Sequence, residues 1–153
     1  MYFFNIKQLK EDIVKDKFNE SDRFTYLFIY MFLNSIALEL PLFYEPTGEL
    51  TQLDYWDSFI AISILALGTY SIYKANGGNQ GKDFLGKYFS ITWVMAIRLF
   101  IPMFIAFYLF IFIELPSPID EIAQSIIVLV YLSVLYYSSY KHVVDINKQI
   151  ALL

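Results

Sequence analysis

Phe84–Ile113 reads FLGKYFSITWVMAIRLFIPMFIAFYLFIFI, and its only charged side chains are Lys87 and Arg98. As a helix rising 1.5 Å per residue, this stretch measures roughly 45 Å. That exceeds the ~30 Å hydrocarbon core of a bilayer. The stretch therefore predicts a membrane-crossing helix that tilts, kinks or projects beyond the lipid. Three other apolar runs accompany it, at Phe24–Phe43, Trp56–Tyr73 and Ile122–Tyr140. The chain has 153 residues and is 58 % hydrophobic, so four such helices use most of its length. No room is left for a soluble catalytic domain.

The charges between the runs alternate. Lys7, Lys10, Lys15, Lys17 and Arg23 precede the first run, Lys74, Lys82 and Lys87 lie between the second run and the apolar part of the third, Tyr88–Ile113, and Lys141 and Lys148 follow the fourth. The connections after the first and third runs hold no Lys or Arg, but they hold Glu45, Glu49, Asp54 and Asp57, then Glu114, Asp120 and Glu121. Basic residues collect on the cytoplasmic side of membrane helices. The pattern predicts four crossings of a bacterial cytoplasmic membrane with both termini inside. The expected fold class is all-α: a polytopic membrane protein with four transmembrane helices, 24–43, 55–73, 84–114 and 119–141, in an antiparallel bundle. A cytoplasmic tail, 142–153, follows.

Residues 1–20 add one more element. Tyr2, Ile6, Leu9 and Ile13 recur at helical spacing, and Asn5 with Gln8 resembles a capping box. An amphipathic interfacial helix is expected, lying on the inner surface or packed under its own bundle. Acidic neighbours (Glu11, Asp12, Asp16, Glu20 and Asp22) balance its lysines and argue against nucleic-acid binding. The chain has no cysteine, which excludes disulfides and thiolate metal sites. The first apolar run begins only at Phe24 and lacks a small-residue cleavage site, so it is expected to stay as an anchor. The many Tyr and Phe residues are expected in headgroup belts and lipid-facing surfaces rather than in a cofactor platform.

Arg98 stands out, because a cation in a membrane helix is costly and asks for a partner. Pro102, four residues on, has no amide to offer the Arg98 carbonyl, so a kink is expected there. Asn34, Ser63 and Tyr131 fall near the same depth, with Glu39 further out. They form a candidate intramembrane polar cluster with Arg98. The alternative is that Arg98 snorkels to the inner headgroups. Ala61, Gly68 and Ser71 form a small-residue face suited to close helix packing, within or between subunits.

Arg23–Pro41 and Arg98–Pro116 share an Arg, Phe32/Phe107, Ile36/Ile111 and a closing Glu-Leu-Pro, a pattern that suggests two duplicated helical hairpins. The Gly77–Asp83 loop fails as a phosphate loop, because Asp83 stands where Ser or Thr is required and a membrane helix precedes it. It is expected to end one helix at its glycines and to start the next with Asp83 as cap. His142 lacks a second histidine or a cysteine for a metal site and is expected to be solvated.

Lys74-Ala75-Asn76-Gly77-Gly78, Gly81, Asp83-Phe84-Leu85, Tyr88, Trp93 and Arg98 together resemble a group of uncharacterised small bacterial four-helix membrane proteins. The resemblance implies location and fold, and no activity comes with it. No catalytic residue, metal or cofactor is expected. The functional expectation is a non-enzymatic, oligomerising membrane protein, either a pore subunit or a scaffold for a cytoplasmic protein partner. Two rivals are a small transporter using Arg98 and Glu39, and a membrane-disrupting effector of a bacterial defence system.

Overall fold

A computed structural model describes residues 2–39, 51–111, 113, 116–117 and 119–152. Its elements are α1 (Ile6–Val14), α2 (Glu20–Glu39), α3 (Gln52–Ala75), a 3-10 turn (Gly78–Gln80), α4 (Phe84–Ile111) and α5 (Ile119–Ile150). The described fold is entirely helical. Among the described residues three helices, α3, α4 and α5, are long and apolar enough to cross a membrane, rather than the four expected. In α2 the described helix starts with Glu20, Asp22 and Arg23 and ends on Glu39, so its apolar stretch is short. Residues 40–43 of the expected first crossing lie outside the described residues, as does Glu114.

Several boundaries shift for local reasons. α3 starts at Gln52 instead of 55 because Thr51 and Asp54 form a reciprocal capping box. α2 starts early because the Asn19 carboxamide accepts the Asp22 amide at 2.8 Å. α5 does not stop at 141. The buried positions Leu135, Tyr136, Ser139, Val143 and Ile146 keep one helical face continuous to the chain's last turns. α4 continues as helix through Pro102.

The helices form an open layer in the order α3, α5, α4, α2, with α1 lying across α4 and α5. Among the described residues no comparable contact joins α2 to α3. The two hairpins of the suspected duplication are therefore packed differently: α5 lies against α4, whereas α2 and α3 stay apart.

The core sits entirely at one end, where the lysines and both termini are gathered. We call this the basic end and its opposite the acidic end. Asn5 caps α1, and Ile6, Leu9 and Ile13 bury one face of α1 in a cluster with Val143 and Ile146 of α5 and Ile91 and Val94 of α4. The first helix thus spends its apolar face on its own bundle rather than on lipid. It is tied down by the Lys10–Asp145 ion pair. Tyr2 adds a backbone amide donated to the Tyr26 hydroxyl at 2.6 Å, while that hydroxyl donates to the Tyr2 carbonyl at 2.9 Å. The Tyr2 hydroxyl donates to Asp12, and this bond pushes its pKa up to about 12.

Away from this end the helices expose large apolar side chains. Leu38, Phe59, Leu67, Phe104 and Leu109 are each more than half exposed. Gly68 lies near the core, where a Cβ would fall 2.5 Å from the Tyr136 ring. Gly68 of the small-residue face therefore meets α5 within one chain. Gly68→Leu should cost about 1–3 kcal/mol through overpacking, read as a lower melting temperature in mild detergent. An unchanged melting temperature would mean that Gly68 meets no helix.

Candidate functional site

The basic end holds a buried cation that sequence reading treated as a flanking charge. Lys87 is 4 % exposed. It lies on the helix face of Ser90, Ile91 and Val94, three, four and seven residues on, all of them buried. Its ammonium donates to Asn76 Oδ1 at 2.8 Å and to Asn147 Oδ1 at 3.0 Å. Each carboxamide is used again. Asn147 Nδ2 donates to the Ala75 carbonyl at 2.8 Å, and Asn76 Nδ2 donates to the Lys82 carbonyl at 3.2 Å. One ammonium thus joins the end of α3, the start of α4 and the last turns of α5. A buried charge is tolerated only when it is paired or hydrogen-bonded, and two carboxamide oxygens meet that need here.

Beside it lies a cavity of about 240 Å³, lined by Arg23, Lys82, Asp83 and Lys87 over a floor that includes Phe18 and Ile150. Arg23 Nε stands 3.1 Å from Asp83 Oδ2. The N–H points off the line joining them, so the contact is electrostatic rather than a hydrogen bond. The guanidinium also reaches Glu20 at 3.1 Å and lies 5.8 Å from the centre of the Phe18 ring. Asp83 takes up a left-handed backbone conformation, φ 52°. Its carboxylate accepts the Gly86 amide, as a cap of α4 should. Burial pushes its pKa up, and the Arg23 guanidinium pulls it back down.

The expected intramembrane cluster is dispersed. Asn34 donates to the Tyr30 carbonyl of its own helix at 2.8 Å, and Ser63 to that of Phe59 at 2.7 Å. Tyr131 reaches the Ala96 carbonyl on α4 at 3.4 Å, the one bond of this group that crosses between helices. Glu39 is exposed at the end of α2. Arg98 is exposed on α4 and lines a separate cavity with Phe4, Asn5, Ile6 and Lys7, at the start of α1. No hydrogen bond or ion pair links it to Asn34 or Glu39 among the described residues. Pro102 borders an apolar groove between α4 and α5. Ser71 is exposed and bonds the Leu67 carbonyl, while Ala61 borders a pocket at the acidic end. His142 is half-buried near Lys10, Arg98 and Asp145, not solvated.

That acidic-end pocket is the second polar feature. It has a volume of about 510 Å³ and lies between α3 and α5. Asp54, Asp57 and Glu121 line it with Ser58, Gln124 and Ser125, and Ala61 and Leu129 are among its apolar walls. The Ser125 hydroxyl donates to Asp57, which joins the two helices. Among the described residues no group of His, Cys, Asp or Glu is arranged to hold a metal ion. No protein-family model, curated protein or solved structure matches the chain.

Proposed function

We propose that the chain is a non-enzymatic integral membrane protein that assembles with copies of itself, and that it serves as a pore subunit. The observation that carries this reading is the uneven packing. One end is a locked core, whereas the rest of the layer leaves apolar surface outward and an acidic vestibule between α3 and α5. Exposed Phe24, Phe28, Phe32 and Leu38 on α2 would be stable only in lipid or against another helix. On that basis α2 is the fourth crossing. The Lys/Arg distribution then puts the basic end, with both termini, in the cytoplasm of a bacterial inner membrane. Three carboxylates at the outer mouth would concentrate cations. One chain's open layer of helices encloses no path, so conduction requires an oligomer.

Purified protein in liposomes should pass monovalent cations, and cross-linking should trap species larger than one chain. Asp57→Asn should lower the preference for cations over anions while leaving the oligomer intact. Oligomers without flux would point instead to a scaffold for a cytoplasmic partner. A monomer without flux would end the proposal.

A further inference from the structure

Arg98 is the one cation outside the charge alternation, and the cavity it lines holds a second cation, Lys7, and no carboxylate. That cavity measures about 460 Å³ and is bounded by the start of α1. The nearby charges do not neutralise it. His142 and Lys10 also face Arg98 or its surroundings. Asp145, which acts on the same His142, is engaged by Lys10, and Glu11, one turn after Lys7 on α1, is engaged by Lys15. Helix side chains point back toward the N-terminus of their helix, which carries the guanidinium from an apolar stretch of α4 toward the level of α1.

A groove of about 350 Å³ begins at the next residue, Leu99, and continues past Pro102, Met103 and Ala106 of α4 against Ile127 and Val130 of α5. Pro102 is one turn from Arg98 and so shares its face. Cations therefore lie at the headgroup level, and a trough that is apolar apart from Tyr131 runs from them into the region of the acyl chains.

From this juxtaposition we infer that Arg98 and Lys7 form a binding site for an anionic phospholipid of the inner leaflet. The phosphate sits between the two cations, and one acyl chain lies in the α4–α5 groove. The guanidinium, with its planar fork of donors, suits a phosphate oxygen pair. Lys7 adds a second, more flexible charge. The inference rests on the membrane reading given above.

The test uses the full chain in mild detergent and native mass spectrometry with phosphatidylglycerol or phosphatidylcholine. Phosphatidylglycerol should be retained at one or more copies per chain, about tenfold better than phosphatidylcholine, in line with an attraction that grows with each basic residue. Arg98→Gln and Lys7→Gln should each weaken retention about fivefold. Arg98→Lys should fall between wild type and Arg98→Gln, because it keeps the charge and loses the fork, and Lys15→Gln, on the surface of α1's end, should change nothing. Lys7 is exposed, so Lys7→Gln tests the site even if Arg98→Gln unfolds. Equal retention by wild type and both Gln variants would overturn the inference. So would displacement of the lipid by millimolar inorganic phosphate, which would mark a site for free phosphate. Fractionation of wild-type cells is read separately: protein recovered outside the membrane fraction would refute the membrane reading itself, whatever the lipid result.

Discussion

Gly81→Ala should unlock the basic end of the fold. The backbone of Gly81 is ordinary, φ −69° and ψ 142°, so conformation alone would allow alanine. Space does not. A Cβ there would lie 2.1 Å from the Asn76 carbonyl oxygen and 2.6 Å from Asn76 Nδ2. The carbonyl belongs to the end of α3 and cannot swing aside. The loop must then lift off, taking with it the carboxamide that holds Lys87. The expected loss is about 3 kcal/mol, the upper end of overpacking costs. It should appear as a fall in melting temperature in mild detergent and as new protease cleavage between Ala75 and Phe84. Gln80→Ala, at an exposed neighbour, is the control. A Gly81→Ala protein as stable as that control would show that the loop does not fold back on Asn76.

The second large effect concerns the ammonium itself. Asn147→Leu removes one of the two acceptors of Lys87 and the donor to the Ala75 carbonyl. Hydrogen bonds to a charged group contribute about 1.5–3 kcal/mol, and a buried charge left short of partners costs more than the bond it loses. Asn147→Leu should therefore destabilise the wild type by about 3 kcal/mol. In a Lys87→Met background, where no charge remains to satisfy, it should cost roughly half as much. The difference is the coupling, read from a double-mutant cycle of unfolding free energies. If the two substitutions are simply additive, the ammonium and Asn147 do not share the bond.

The helices were legible because hydrophobic runs and the positions of Asn5 and Asp83 are local signals. The amphipathic spacing of Ile6, Leu9 and Ile13 also identified the buried face of α1, although periodicity could not say whether lipid or protein would cover it. The start of α3 was legible too, in Thr51 and Asp54, but the apolar run at Trp56 was the louder signal. Lys87 was misjudged for a different reason. A charge count treats every lysine as a surface charge, whereas the face it shares with Ser90 and Val94 marks it as internal. Its acceptors, Asn76 and Asn147, lie far apart in sequence, and only the tertiary fold brings them together. Depth counting grouped Arg98 with Asn34, Ser63 and Tyr131. Depth fixes height along a helix and says nothing about direction around it. Asn34 and Ser63 turn back to their own backbones, as short polar side chains readily do, and Arg98 reaches toward α1.

The pairing of α1 with the last turns of α5 bears on how the protein is made. Leu9 and Ile13 leave the ribosome long before Val143, Ile146 and Asn147, which help to cover them and hold Lys87. Until those residues are translated, α1 has only the α4 side of its cover and the ammonium only one acceptor. Closing so long a loop also has an entropic cost, which the contacts of Tyr2 with α2 and of α1 with α4 offset only in part. The core therefore cannot be completed before α5 has been made. It forms in one late event after translation has reached the C-terminal turns, and a nascent chain arrested before Val143 exposes just the surface that chaperones and membrane proteases recognise.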